Sequence, residues 1–215
     1  MFLEMESKML RLIAERCTEI LLQHGTIQED KRAIYIYGFE LFWSTSFSMI
    51  SILLLGGIFG YLGQAVVFLL CFVPIRTAAG GYHAKSYGGC FLVTNFTAIF
   101  CVVVSGRLYL LSSLWGERLL WILLVLAFLY IWMNAPVNSA KHPLKPDRVI
   151  KNRRYARIIL GIEAGAILIA DIWFDHSAIY TAIVTTCVVA VMIIAAEKGG
   201  ERNECSLDDG SRFYS

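Results

Sequence analysis

The sequence predicts an all-α membrane protein with about six transmembrane helices and an N-terminal amphipathic interfacial helix. Three observations carry this. Of 215 residues, 57% are hydrophobic and 17% charged, with a mean hydropathy of +0.61; a soluble domain is far less apolar. The apolar residues gather into segments near the ~20 residues that an α-helix needs to cross a bilayer. Proline is scarce, at 4, so long helices can run unbroken.

The elements follow in order. Over residues 1–30, Met5, Met9, Leu12, Ile13, Cys17, Ile20 and Leu21 recur at three- and four-residue steps, with Glu6, Lys8, Glu15 and Glu19 elsewhere on the wheel. This spacing predicts an amphipathic helix ended by Gly25, lying in the membrane interface or packed on the protein's own cytoplasmic face. Six apolar segments follow at about 39–60, 63–79, 89–111, 118–134, 157–174 and 177–196. Six spans fit these lengths, and so do four full spans with shorter elements. The expected domains are 1–36, an amphipathic cytoplasmic-face segment; 37–196, a polytopic transmembrane domain; and 197–215, a flexible cytoplasmic tail.

Charge gives the orientation. The stretches 1–38, 76–88, 135–156 and 197–215 carry Lys8, Arg11, Arg16, Lys31, Arg32, Arg76, Lys85, Lys141, Lys145, Arg148, Lys151, Arg153, Arg154, Lys198, Arg202 and Arg212. The connections 61–62, 112–117 and 175–176 carry no Lys or Arg. The basic set should face the cytoplasm. A net charge of +2 is too small to suggest nucleic acid. The N-terminus mixes Glu4, Glu6, Lys8, Arg11, Glu15 and Arg16, so no secretory signal peptide is expected. The 6 cysteines form no CxxC, which argues against a zinc knuckle or a disulfide scaffold.

The chemistry concentrates in Gly80-Gly81-Tyr82-His83-Ala84-Lys85-Ser86-Tyr87-Gly88-Gly89-Cys90. A Cys–His pair is the minimum apparatus of thiolate catalysis. In a straight helix an i, i+7 pair lies about 10 Å apart along the axis. Gly88-Gly89 permits a bend that lets His83 and Cys90 meet. Cys90 is the candidate nucleophile, its thiol made more acidic by a helix N-terminus and an imidazole. His83 is the candidate base. The bland readings are a buried membrane cysteine and an interfacial, water-satisfied histidine, and H-x6-C alone is a weak signal. A cytoplasmic location would keep Cys90 a free thiol.

Other charges admit two readings each. Arg76, at the end of an apolar span, could bind a substrate carboxylate or snorkel to the interface. Lys85 could lower the thiol's pKa or be solvated. Residues 141–157 hold Lys141, Lys145, Arg148, Lys151, Arg153, Arg154 and Arg157 against the single acid Asp147. They suit an anchor on anionic lipid, a docking site for an acidic peptide segment, or both. Glu163 and Asp171 interrupt the fifth apolar segment. A carboxyl buried there pairs with Arg or is protonated, or it marks an ion path.

At this point the residues match a known pattern. The run Arg76-Thr77-Ala78-Ala79-Gly80-Gly81-Tyr82-His83-Ala84, then Cys90, resembles the accessory gene regulator B (AgrB) family of quorum-sensing membrane endopeptidases. Asn134-Ala135-Pro136-Val137, followed by Lys145-Pro146 and the basic run to Arg157, resembles the next loop of those proteins. The resemblance implies cleavage of a small AgrD-like pro-peptide, with Cys90 as nucleophile and His83 as base. The acyl-enzyme is then captured by a side chain of the peptide, giving a thiolactone or lactone. Arg76, Gly81, Lys85, Lys145, Lys151, Arg153 and Arg154 become substrate-binding or supporting positions. Backbone N–H groups of Gly89, Cys90 and Phe91 become oxyanion-hole candidates. The resemblance implies no metal or cofactor, a homodimer, and a multi-pass protein of the bacterial cell membrane with both termini and the catalytic loop in the cytoplasm. Two other functions fit the residues alone. One is a peptide transporter lined by Arg76, Glu163 and Asp171; the other is a non-catalytic scaffold binding anionic lipid or an acidic peptide.

Overall fold

The computed structural model describes the backbone of residues 2–79, 87–111, 114–136, 146–173 and 176–211, and the side chains of 9–79, 88–111, 114–136, 150–172 and 176–197. The described residues form helices and their connections. These are α1 (Phe2–Gln23), a short 3-10 helix (Glu29–Lys31), α2 (Arg32–Ile58), α3 (Leu62–Ala79), α4 (Tyr87–Leu110), α5 (Leu114–Asn134), α6 (Pro146–Trp173) and α7 (His176–Ser211). Five of them are long and apolar enough to cross a membrane: Glu29–Ile58, Leu62–Ala79, Gly88–Leu110, Leu114–Asn134 and His176–Glu197. The remaining expected segment, 157–174, falls in α6, whose apolar stretch is broken by Arg157, Glu163 and Asp171. The chain is an all-α membrane protein, and α7 continues past residue 196 to Ser211.

Two compact units divide the chain. The first comprises Met1–Leu62 and His83–Ile99. In it α1 packs against α2 and buries Leu10, Ala14 and Thr18, a stripe at four-residue spacing. Thr18 Oγ1 donates to the Ala14 carbonyl at 2.8 Å, so its hydroxyl is satisfied within the helix. Met9, Leu12 and Ile20, on the apolar face read from the sequence, are exposed, as suits a face turned to a membrane interface. Both helices of this unit end in a Schellman cap. Gly25 at φ 65 closes α1, with Thr26 N–H donating to Leu21 O at 3.0 Å and Gly25 N–H to Leu22 O at 2.9 Å. Gly60 at φ 77 closes α2 the same way, through Tyr61 N–H to Gly56 O at 2.7 Å.

The second unit comprises Gly63–Tyr82 and Phe100–Ser215. Within it α7 packs on both α5 and α6, and Thr181 to Thr186 are buried without interruption. An apolar cluster joins Cys71 of α3, Leu124 of α5, Ile167 of α6, and Ile179, Ala182 and Ile183 of α7. Phe68 and Phe72 stack with ring centroids 4.9 Å apart. Buried hydroxyls here find partners. Ser105 and Thr181 share a hydrogen bond of 2.9 Å between their hydroxyls, and Thr185 Oγ1 donates to Thr181 O at 2.7 Å.

Candidate functional site

Gly88 and Gly89 sit inside the first turn of α4, followed directly by Cys90. The Cys90 thiol is free and half-buried. The glycines therefore lie within the helix and do not form a bend between it and Cys90. Gly89 and Cys90 are the third and fourth residues of α4. Phe91 is the fifth residue, where the helix's own ladder ordinarily takes up the N–H. His83, Gly81, Lys85 and Lys145 lie outside the described residues.

Among the other thiols, Cys71 and Cys101 are buried, while Cys17 and Cys187 are half-buried. Cys187 lies in an apolar run, yet it is more open than the burial expected for such a run. Asn95, which the sequence reading passed over, is 8% exposed. Its Nδ2 donates to the Phe91 carbonyl at 2.9 Å, while its Oδ1 is buried without a hydrogen-bond partner. A lone Asn in an apolar run offers no periodic signal that would single it out.

In the second unit Arg76 lies in the last turn of α3. Its guanidinium carbon is 5.3 Å from the Phe72 ring centroid, and Nη1 is 3.9 Å from Met192 Sδ on α7. The half-buried guanidinium thus lies over an aromatic face in a cation–π arrangement. Five residues before Arg76, Cys71 faces Glu163, whose Oε1 is 3.0 Å from Thr186 Oγ1. Asp171 is more open, with Oδ1 3.7 Å from His176 Nδ1.

The basic run splits by helical face. Arg153 Nε donates to Ala135 O at 3.4 Å, and Arg157 Cζ lies 5.2 Å from the Trp132 ring centroid. These two residues, four apart, tie α6 to the end of α5. Lys151 and Arg154 are exposed, with Lys151 Nζ 5.9 Å from the Tyr155 ring centroid. At the same end of α5, Asn134 Nδ2 donates to Tyr130 O at 3.0 Å, and Tyr130 O–H donates to Glu197 Oε2 of α7. Among the described residues no group of three or more His, Cys, Asp or Glu side chains is placed to hold a metal ion.

The sequence model described as "Accessory gene regulator B" matches residues 14–195. AgrB-like protein 1 of Clostridium perfringens (strain 13 / Type A) is 30% identical over 149 residues, 67% of this chain and 74% of that protein. AgrB-like protein 2 of the same organism is 25% identical over 147 residues, 67% of this chain and 66% of its own. Protein FsrB of Enterococcus faecalis (strain ATCC 47077 / OG1RF) is 28% identical over 142 residues, 64% of this chain and 54% of its own. The chain thus spans less than two thirds of the second and third of these relatives. No solved structure matches. With its long apolar helices and a match running from α1 into α7, the chain is a multi-pass membrane protein of the quorum-sensing accessory gene regulator system and belongs to the accessory gene regulator B family.

Proposed function

We propose that this protein is a membrane cysteine endopeptidase that cuts a small AgrD-like pro-peptide and promotes cyclisation of the product. The observation that carries the reading is Cys90: a free, half-accessible thiol in the first turn of a helix, seven residues after His83 in a family member. His83 takes the thiol proton, and the Cys90 thiolate attacks the scissile carbonyl. The tetrahedral oxyanion is met by first-turn N–H groups near Gly89 and Cys90. Collapse expels the C-terminal part of the pro-peptide as an amine, which takes the proton back from His83. The remaining thioester keeps most of an activated acyl group's energy. A thiol or hydroxyl of the same peptide then attacks it, closes a thiolactone or lactone, and frees Cys90. A partly dry interfacial site favours this over hydrolysis. Arg76 supports the site at the end of α3, and the exposed Lys151 and Arg154 meet an acidic tail of the pro-peptide. Anionic lipid at the basic face and a homodimer complete the reading.

The test is co-production with an AgrD-like precursor in membranes. Cys90→Ala and His83→Ala should each abolish cleavage while the protein stays inserted. Cys90→Ser should be nearly inactive, because a serine hydroxyl is poorly ionised near neutral pH. Full turnover by Cys90→Ala would sink the assignment.

A further inference from the structure

Glu163 is 8% exposed in the middle of α6. Two groups from other helices adjoin its carboxyl among the described residues: the Thr186 hydroxyl of α7, 3.0 Å from Oε1, and the Cys71 thiol of α3. Neither is a cation. Oε2 is buried with no hydrogen-bond partner. The neighbouring α5 presents Leu124 to the same cluster as Cys71, and α6 presents Ile167. The nearest basic residue of α6, Arg157, is stacked on Trp132. Beyond Cys71, the titratable group that α7 holds nearby is Cys187.

Counting protons decides the state of this carboxyl. Thr186 Oγ1 is also 2.9 Å from the Ala182 carbonyl oxygen. A hydroxyl has one proton to give, and a carbonyl oxygen can only accept. The Thr186 proton therefore serves Ala182, which leaves Oγ1 facing Glu163 as an acceptor. An ionised carboxylate would set lone pair against lone pair at 3.0 Å, have the weak S–H of Cys71 as a donor, and leave Oε2 charged and unpaired in an apolar setting. A protonated carboxyl meets both conditions. Its O–H fills the contact with Thr186, and the remaining carbonyl oxygen costs far less to leave unpaired than a charge.

We propose that Glu163 is a proton-binding site: a neutral carboxylic acid whose Oε1–H donates to Thr186 Oγ1 and ties α6 to α7. This role is independent of the peptidase reading. It removes a charge that opposes burial of α6, and it links α6 to α7 through Thr186.

The experiment uses the full chain in liposomes at neutral pH, comparing the infrared spectrum of the wild type with those of Glu163→Gln and Thr186→Val. Glu163→Gln should remove the carbonyl stretch of a protonated carboxyl. It should also keep the wild-type Tm, because the amide N–H donates to Thr186 as the acid does. Glu163→Leu should lower Tm. Thr186→Val should retain the carboxyl band at a shifted frequency. Loss of carboxylate stretches in Glu163→Gln, in place of the acid band, would overturn the proposal. So would an unshifted band in Thr186→Val, which needs no folded Gln variant to be read.

Discussion

Arg153 Nε donates a hydrogen bond of 3.4 Å to the carbonyl oxygen of Ala135, 18 residues earlier. The contact ties the first half of α6 to the exit of α5, and Arg157 on the same face lies over Trp132. Lys151, Arg153 and Arg154 are all exposed, so the two faces differ by the Arg153 and Arg157 contacts with α5 and not by burial. One basic run therefore has two roles: an inner face that positions the helix and an outer face open to an anionic partner.

That division predicts separable phenotypes. Lys151→Glu with Arg154→Glu should raise KM for a precursor with an acidic tail and change kcat little. Exposed ion pairs contribute about 0.2–1 kcal/mol each, so roughly a two- to thirtyfold effect is expected. It should shrink at high salt, since the screening length is about 10 Å at 0.1 M, and a precursor with lysines in place of its tail acids should partly restore it. Arg153→Gln should instead cost about 1 kcal/mol of stability through the lost hydrogen bond, whatever the peptide's charge. Equal sensitivity of both variants to tail charge would remove the distinction between the faces.

The helices were legible in the sequence because apolar length is a strong signal, and Gly25 marked the end of α1 where a left-handed residue caps it. The packing faces were harder to read. The apolar face of α1 read from the sequence, with Met9, Leu12 and Ile20, is exposed, and the residues buried against protein are Leu10, Ala14 and Thr18. Next to a membrane, lipid accepts large side chains as readily as protein does, so helices approach through small residues. Thr181, Thr185 and Thr186 of α7 repeat the pattern, each fully buried. The split between Arg153 and Arg154 is equally invisible in a run of like charges, because it depends on where the end of α5 lies. The candidacy of Cys90 rests on its glycines and its histidine in the sequence. The buried Asn95 and the partner of Glu163 were not legible, since both depend on contacts that sequence spacing does not encode.

The thiols give a second prediction. Cys71 and Cys101 are 7% and 0% exposed, respectively, while Cys90 is half-buried at a helix start. Iodoacetamide applied to the protein in native-like membranes should therefore modify Cys90 well before Cys71 and Cys101. Cys17 and Cys187 are also half-buried, so the assignment is read by peptide mapping against a Cys90→Ala control. Bound precursor should slow modification of Cys90 and leave Cys17 unchanged. Modification of Cys101 ahead of Cys90, or precursor protection spread equally over all thiols, would contradict the placement of the site.

The last prediction concerns how many times the chain crosses the membrane. Residues 85 and 147 are separated by α4 and α5, so they should share a side whatever α6 does. With α7 crossing, residue 205 shares that side only if α6 crosses too. By composition α6 falls outside the five apolar spans, but its Glu163 is buried, and from Arg157 to Trp173 it is about 25 Å long at 1.5 Å per residue. That is close to the hydrocarbon thickness. Charge at the opposite end is low but not zero: Arg107 ends α4, and Arg118 near the start of α5 lies 5.5 Å from the Trp115 ring centroid, an arrangement suited to the interface. Single-cysteine variants probed with a membrane-impermeant maleimide should show residues 85, 147 and 205 protected in intact cells and residue 176 labelled. Labelling of 205 with 147 protected would mean that α6 does not cross. Labelling of residue 85 in intact cells would reverse the orientation and remove the reducing environment expected for Cys90.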